Sequence, residues 1–339
     1  MKQNIQLWLR TLKGEQQKKP IPILSFPCIS LLGTTVRELI ADSELQAKGM
    51  KAVAQNTDAA AAVSFMDLSV EAECFGATVS VSENEVPTVK GRLIEDMDGA
   101  KALKIPAVGS KRTRIYIDAI KKATKEITDR PVFSGIIGPF SLAARLLDVS
   151  EIMTLCYEDP DMVHLVLEKC TTFLIDYAKA YKAAGADGIM MAEPVAGLLS
   201  PSLEEEFSSP YVKRVVDAVQ DDAFLVIYHN CGDNVSKMLK SILSVGAAAY
   251  HFGNAVDMES DILAQVPDNV LVMGNVDPAG VLCMGTPDDV KNTTRSLLES
   301  CAKYPNFVLS SGCDIPPMTP WENIDAFFSA AREYYETKN

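Results

Sequence analysis

Short apolar runs recur along the whole chain, and a stretch with helical periodicity follows each of them. Near-continuous apolar runs are typical of strands that are buried on both faces of a parallel sheet. Strands that alternate with helices indicate an α/β fold, and eight of them favour a (β/α)8 TIM barrel. The eight runs cover residues 21–26, 60–67, 131–140, 187–194, 223–231, 247–254, 269–278 and 306–314.

Two further segments do not belong to the alternation. The first twenty residues predict an N-terminal helix that lies against the barrel. Between the second and third predicted strands, residues 77–96 predict an inserted hairpin-like segment. No linker rich in Gly, Ser or Pro divides the chain, so we predict one barrel domain over residues 1–339.

Helix boundaries are marked by capping residues. Asp159 followed by Pro160 predicts a helix start, and Gly185 predicts the end of the same helix. Thr319 with Glu322 three places later predicts a capping box at the start of the last helix.

The composition excludes several classes of partner. The net charge is -13, and no Lys/Arg-rich run is present, so neither nucleic acid nor a membrane surface is an expected partner. No apolar run approaches the ~20 residues that span a bilayer, and the N-terminus has no signal-peptide pattern. The 8 cysteines are scattered, which favours reduced thiols and a cytoplasmic location.

Polar side chains collect at the ends of the predicted strands. In barrel enzymes the active site lies at the C-terminal ends of the strands, so these side chains are candidates for one site. They are Asp67, Glu193, His229, Cys231, His251, Asn254, Asn275, Asp277, Cys313 and Asp314.

A metal site is the sharpest hypothesis. His229 and Cys231 are two residues apart, so a strand directs them to the same side, and Cys313 can reach the same point from the last strand. One imidazole and two thiolates suit Zn²⁺, and three protein ligands leave a position open, as in catalytic zinc sites. The alternative is a buried cysteine beside a turn histidine, with no metal.

The other candidate site residues are predicted only from their positions at strand ends, which is a less specific pattern. Glu193, Asp67 and His251 are predicted as catalytic residues, and Asn275 and Asp277 as substrate-binding residues. For each of them the alternative is a structural one, in which the side chain caps the loop that follows its strand.

The chain resembles the uroporphyrinogen decarboxylase superfamily and, within it, the zinc-dependent methylcobamide:thiol methyltransferases, of which the best known methylate coenzyme M. The resemblance covers nearly the whole chain. It rests on the segments "DLSVEAECFGA", "PVFSGIIGPFSLAARLL", "GADGIMMAEPVAGLLSP", "YHNCGDN", "VLVMGNVDPAGVLCMGTPDDV" and "LSSGCDIPPMTPWENIDAFFSAAR".

The resemblance implies a function. His229, Cys231 and Cys313 would be zinc ligands, and a small-molecule thiol, activated as a zinc thiolate, would take a methyl group from a corrinoid. The chain has no Asp-x-His-x-x-Gly stretch, the kind that ligates cobalt in corrinoid-binding domains. A separate corrinoid-binding protein is therefore the implied partner, docking over the end of the barrel.

Three alternatives stay open. A uroporphyrinogen decarboxylase-like lyase is disfavoured, since the arginine-bearing stretch of that enzyme is replaced by "SFPCISLLGTTVREL". A zinc- or thiol-binding barrel without methyl transfer is a second alternative, and a metal-dependent hydrolase a third. Cobalamin-independent methionine synthase, a related barrel, adds a Glu ligand where this chain has His251, so the fourth position would hold substrate, water or Glu193.

Overall fold

The computed structural model describes residues 4–15 and 17–337. Seven strands form one parallel sheet, in which they lie in the order of the sequence. All their residues are buried, as the apolar runs predicted. The strands are β1 (Ala62–Val63), β4 (Val132–Ile137), β5 (Gly188–Ala192), β6 (Leu225–Asn230), β7 (Ala249–Phe252), β8 (Leu271–Val276) and β9 (Phe307–Ser311).

Fifteen α-helices are present in the described part of the chain, and most of them lie between successive strands. They are α1 (Ile5–Gly14), α2 (Cys28–Leu32), α3 (Val36–Ala41), α4 (Ser43–Asn56), α5 (Val70–Phe75), α6 (Met97–Ala102), α7 (Thr113–Glu126), α8 (Pro139–Leu147), α9 (Val149–Glu158), α10 (Pro160–Ala184), α11 (Pro201–Phe207), α12 (Ser209–Val219), α13 (Val235–Ser244), α14 (Pro287–Cys301) and α15 (Trp321–Glu336). A 3₁₀ turn, Ala196–Leu198, and two π-helical segments, Met258–Leu263 and Pro278–Cys283, follow β5, β7 and β8.

The first predicted strand, residues 21–26, is not a strand in the structure. Pro20 and Pro22 have no N–H to donate, so this segment cannot complete a regular ladder. It still lies beside both ends of the sheet, since Ile21 N donates to Leu309 O of β9 (2.9 Å) and Ala60 N, just before β1, donates to Pro20 O (2.9 Å). The observed sheet is therefore seven-stranded and curled, and the complete eight-stranded barrel stays a prediction.

The inserted hairpin is confirmed. Thr78–Ser80 (β2) pairs antiparallel with Thr88–Lys90 (β3), and both strands lie between β1 and β4 in the chain.

Two of the predicted helix boundaries are confirmed and one is wrong. The Asp159 side chain accepts from Met162 N at the start of α10, and Gly185 ends that helix in the left-handed region. At α15, however, the cap is Pro320, and the Thr319 hydroxyl has no hydrogen-bond partner. The extended backbone of Pro320 starts the helix one residue later than a capping box at Thr319 requires.

Alternate residues of the strands pack on opposite faces of the sheet. One face packs on the surrounding helices. The other forms a separate apolar cluster, in which Ile5, Trp8 and Leu12 of α1 pack against side chains from all seven strands. Trp8 is tilted on Phe133 with ring centroids 5.6 Å apart, and its Nε1 donates to Ala60 O (3.1 Å). The predicted N-terminal helix thus covers the inner face at the amino ends of the strands.

No helix in the described ranges has both the length and the apolar character needed to cross a membrane. The cytoplasmic location and the single domain over residues 1–339 stay predictions.

Replacing Trp8 by Ala is expected to lower the free energy of unfolding by about 3–5 kcal/mol, the cost of truncating a buried aromatic side chain. Urea denaturation measures the change. Leu7→Ala is the matched control, since Leu7 lies on the same helix and is 61% exposed. Equal stability of the two variants would show that α1 does not hold the inner cluster together.

Candidate metal centre

Three side chains that can bind a metal meet at the carboxyl edge of the sheet, the edge where all seven parallel strands end. His229 continues the inner-face positions Leu225 and Ile227 of β6, Cys231 follows that strand, and Cys313 follows β9. His229 Nε2 lies 3.4 Å from Cys313 Sγ, and the two sulfurs are 3.9 Å apart. Among the described residues, this is the group of His, Cys, Asp or Glu side chains whose ligand atoms all lie within 4.8 Å of one another.

The two distances to Cys313 Sγ fit a tetrahedral zinc site. Zn–S bonds of ~2.3 Å and Zn–N bonds of ~2.0–2.1 Å place two sulfurs about 3.8 Å apart and a sulfur and a nitrogen about 3.6 Å apart. The observed separations of 3.9 and 3.4 Å agree with these edges. The chemistry of the three side chains and these two separations therefore fit Zn²⁺.

A hydrogen bond connects the two thiols. Cys313 Sγ donates to Cys231 Sγ, which lowers the pKa of the Cys231 thiol. The same hydrogen bond, together with burial, raises the pKa of Cys313 to about 12. Cysteine binds metal as thiolate, so binding would release protons and we expect metal affinity to weaken as the pH falls.

A chain of hydrogen bonds fixes the orientation of His229. The Ser310 hydroxyl donates to Ile21 O (2.7 Å), so its oxygen accepts from His251 Nε2 (2.7 Å). Burial lowers the pKa of His251 well below its usual range, so this ring is neutral and its Nδ1 accepts from His229 Nδ1 (2.8 Å). The proton of His229 is thereby placed on Nδ1, and the lone pair of Nε2 faces the two cysteines.

Glycines allow the backbone to approach closely around the two cysteines. A Cβ on Gly253 would lie 2.5 Å from Cys231 Cβ, and a Cβ on Gly312 would lie 2.6 Å from Asn254 Oδ1. Gly232 packs against Gly197 with similarly little space. Since contacts below 3.0 Å force atoms to shift, these positions determine where Cys231 and Cys313 lie.

Glu193 lies outside the metal group. Its carboxylate accepts from Phe140 N (2.9 Å), Ser141 N (2.9 Å) and Ser141 Oγ (2.6 Å) at the start of α8. Burial raises the pKa of Glu193 to about 7, although these hydrogen bonds oppose the rise. The described geometry makes Glu193 a cap of α8, and both of its oxygens are engaged.

Asp67 belongs to a second polar cluster at this edge. Its Oδ2 accepts from the Arg112 guanidinium and from Tyr116 OH (2.8 Å), and its Oδ1 accepts from Ser69 Oγ (2.6 Å). Arg112 also donates from Nε to Glu73 Oε2 (2.7 Å). The structure therefore bonds Asp67 to residues at the starts of α5 and α7. Asp67 is not part of the candidate metal group.

Asn275 and Asp277 both hold loops. The Asn275 side-chain amide donates to Gly253 O and Val256 O, both at 2.9 Å, so it fixes the loop that follows β7. Asp277 Oδ1 accepts from Ala279 N (2.9 Å) and Gly280 N (3.0 Å) and caps the π-helical segment after β8. Their substrate-binding role stays a prediction.

Sequence reasoning placed Asp314 at a strand end and gave it no role. It follows Cys313 in the chain, and its Oδ1 is shielded from solvent and has no hydrogen-bond partner. Ser310 was missed as the hydrogen-bond partner of His251. The signal for both residues was available, because they flank Cys313 in "SSGCD".

The family model for uroporphyrinogen decarboxylase (URO-D) matches residues 5–334 of the chain. The chain belongs to the uroporphyrinogen decarboxylase family. Among its relatives, the methylcobamide:CoM methyltransferase MtbA of Methanosarcina mazei is 28% identical over 331 residues, 94% of this chain and 95% of the relative. A uroporphyrinogen decarboxylase of Coxiella burnetii is 28% identical over 286 residues, 81% of this chain and 77% of the relative.

A solved structure, a methyltransferase from Methanosarcina mazei, superposes with a TM-score of 0.84 at 26% identity. The match covers 96% of this chain and 97% of that one. The resemblance to methylcobamide methyltransferases of the uroporphyrinogen decarboxylase family, predicted from the sequence, is thus confirmed.

The close packing of Gly253 against Cys231 can be tested by adding a methyl group at Gly253. Gly253→Ala is expected to displace Cys231 and to weaken Zn²⁺ binding about tenfold or more, on the scale of other changes next to metal ligands. Titration against a competing zinc chelator measures the affinity. Gly14→Ala is the control, since a Cβ at Gly14 meets nothing within 4 Å. Unchanged affinity in Gly253→Ala would contradict the proposed constraint on Cys231.

Proposed function

We propose that this chain is a zinc-dependent methyltransferase, which moves a methyl group between a corrinoid (methylcobamide) and a small thiol. The observation that carries the proposal is the His229–Cys231–Cys313 group, with separations of 3.4 and 3.9 Å at the carboxyl edge of the sheet. The similarity to methylcobamide:CoM methyltransferases over 94% of the chain supports it.

The decarboxylase alternative has less support. In this chain the loop after the first predicted strand has no arginine before Arg37. The guanidinium of Arg37 is on the surface and pairs with Glu83 (2.6 Å). No unpaired arginine in this loop could bind the carboxylates of a tetrapyrrole. The decarboxylase alternative also gives no function to the three side chains of the candidate metal group.

Zn²⁺ bound by these three residues would supply one effect, the lowering of a thiol pKa so that the thiol reacts as thiolate near neutral pH. The residues of the chain have the remaining tasks. The three side chains hold the metal on one side and leave a position for the substrate. His251 and Ser310 hold the His229 ring in the tautomer that binds metal.

The corrinoid would arrive on a separate protein. Large apolar side chains are exposed in loops that follow β5, β8 and β9, namely Leu198 (53%), Met284 (76%) and Met318 (63%). Exposed apolar side chains of this size are typical of contact surfaces. They support docking of the corrinoid protein at the carboxyl edge.

We also propose that the inner face is closed into a complete (β/α)8 barrel. Residues 20–23 hydrogen-bond to β9 and to Ala60, just before β1, which supports closure on both sides of this segment. Glu193, Asp67 and Asp277 act in this proposal as positioning residues, which hold the helices and loops around the metal group.

Cys313→Ser is expected to remove most of the bound zinc and to lower methyl transfer more than about 100-fold, because loss of a ligand exceeds the ~10–100-fold effect of outer partners. Elemental analysis gives the zinc content, and the absorbance of methylcobalamin in the presence of thiols follows the transfer. Cys283→Ser is the control, since Cys283 is partly exposed and lies outside the metal group. Full zinc content and activity in Cys313→Ser would reject the proposed centre.

Ser310→Ala tests the hydrogen-bond chain behind His229. The change leaves His251 Nε2 without its acceptor, so the His229 tautomer is no longer fixed, and zinc affinity is expected to fall about 10–100-fold. A chelator competition measures it. Ser134→Ala is the matched control, because the buried Ser134 hydroxyl has no hydrogen-bond partner to lose. Equal affinities of the two variants would show that the chain does not orient His229.

A further inference from the structure

A buried polar side chain lies directly behind the candidate metal group. Asn230 stands between His229 and Cys231 in the chain and is fully buried. Alternate residues of a strand point to opposite faces, so the Asn230 side chain points away from the face that His229 occupies. It shares the outer face of β6 with Tyr228, which packs in the cluster formed with the helices. Any effect of Asn230 on the metal group must therefore pass through the backbone.

The side-chain amide of Asn230 is hydrogen-bonded at both ends. Its Oδ1 accepts from Gly232 N (3.0 Å), and its Nδ2 donates to Tyr228 OH (3.0 Å). The backbone N–H of Gly232 can bond only to the amide oxygen, so the orientation of the amide is defined by its partners. The oxygen of Asn230 thus holds the residue that directly follows Cys231.

The main chain of Asn230 holds a second neighbour of Cys231. Its carbonyl oxygen accepts from Gly253 N (3.1 Å), at the end of β7. Gly253 is the glycine that packs so closely on Cys231 that an added Cβ would lie 2.5 Å from the Cys231 Cβ. The next residue in the chain and the tightest packing neighbour of Cys231 are therefore both bonded to Asn230.

The loop after β6 needs such a bond, and the loop after β5 leaves room for it. Gly232 has the largest conformational freedom of any residue type, so its own backbone preference does not determine where Cys231 lies. In the loop after β5, Gly197 packs on Gly232, and a Cβ on Gly197 would overlap Asn230 Oδ1. A glycine at position 197 thus lets the amide oxygen of Asn230 reach the backbone of Gly232.

We propose that Asn230 is a positioning residue, which fixes Cys231 for metal binding through Gly232 and Gly253. With the amide in place, the Cys231 sulfur is held in the metal group before the metal arrives. Without it, the loop has to be ordered when the metal binds, and that conformational entropy weakens binding. The inference rests on the proposed function, in which this centre activates the thiol.

Asn230→Ala tests the role, because it removes the acceptor of Gly232 N. The affinity for Zn²⁺, measured against a competing chelator, is expected to fall about 10–100-fold, the range for outer partners of metal ligands. A second readout is the absorption spectrum of the full chain loaded with Co²⁺, whose bands report the number of bound thiolates and their geometry. The variant is expected to have weaker or shifted cobalt bands.

Asn230→Asp is the conservative variant, because it keeps an oxygen where Gly232 N donates. Zinc affinity is expected to return to within about threefold of the wild-type value, since the hydrogen bond to Gly232 is retained. The cobalt spectrum is expected to match that of the wild type. Rescue by an oxygen acceptor separates positioning of the loop from a simple requirement for a side chain of this volume.

Asn306→Ala is the matched control. Asn306 is also fully buried, and its Nδ2 donates to Pro267 O (3.3 Å) and Val270 O (2.9 Å). It directly precedes β9, so it lies at the amino edge of the sheet, opposite to the metal group. Urea denaturation is expected to show a loss of stability comparable to that of Asn230→Ala, with wild-type zinc affinity and cobalt spectrum.

Each contrary outcome overturns a definite statement. Unchanged zinc affinity and an unchanged cobalt spectrum in Asn230→Ala would overturn the inference. An equal loss of affinity in Asn306→Ala, or no rescue in Asn230→Asp, would overturn it as well, since Asn230 would then contribute only to stability. These measurements need no methyl transfer. A zinc-loaded wild type that methylates no thiol would reject the proposed function and leave the positioning role of Asn230 in place.

Discussion

The candidate metal centre depends on the curvature of the sheet. His229 lies in β6 and Cys313 follows β9, and these two strands are three strand spacings apart. In a flat sheet three spacings of ~4.8 Å would separate them by about 14 Å. Their ligand atoms nevertheless lie 3.4 Å apart, so the side chains meet across the concave face. Everything that maintains the curl therefore also maintains the metal-binding geometry.

Packing inside the curl supplies much of this support. On β6 the inner face is apolar as far as Ile227, and the next inward-facing residue is His229. His229, His251 and Ser310 form a polar layer above the apolar cluster. The polar layer is connected to residues 20–26 by the bond from Ser310 to Ile21 O. The segment that fails to form a strand is thus bonded to the residues that orient the metal ligand.

Much of the fold could be predicted, because burial on both faces leaves a simple apolar signature in the sequence. Seven of the eight apolar runs became strands, and the three side chains of the candidate metal group were predicted from strand ends. Residues 21–26 were mispredicted because the prolines that prevent a regular ladder weighed less than the apolar pattern. Thr319 was mispredicted as a cap because a capping pattern in the sequence does not fix the backbone of Pro320.

The roles of the carboxylates could not be predicted, because each depends on a contact that is distant in sequence. Glu193 accepts from Phe140 and Ser141, more than 50 residues earlier, and Asp67 accepts from Tyr116, 49 residues later. At a strand end a carboxylate can serve either chemistry or a helix start, and only the partners distinguish the two. By that criterion Glu193, Asp67 and Asp277 stabilise helix starts and loops through their hydrogen bonds.

Asp314 differs from these three carboxylates, since the fold leaves its Oδ1 without a partner. Keeping a buried oxygen unpaired beside a metal ligand lowers stability. Sites that bind ligands commonly contain such local costs, because the missing partner is supplied on binding. The carboxylates that the fold already uses therefore maintain the framework, whereas Asp314 Oδ1, like Glu71 Oε2 and Glu204 Oε2, is shielded from solvent without a hydrogen-bond partner.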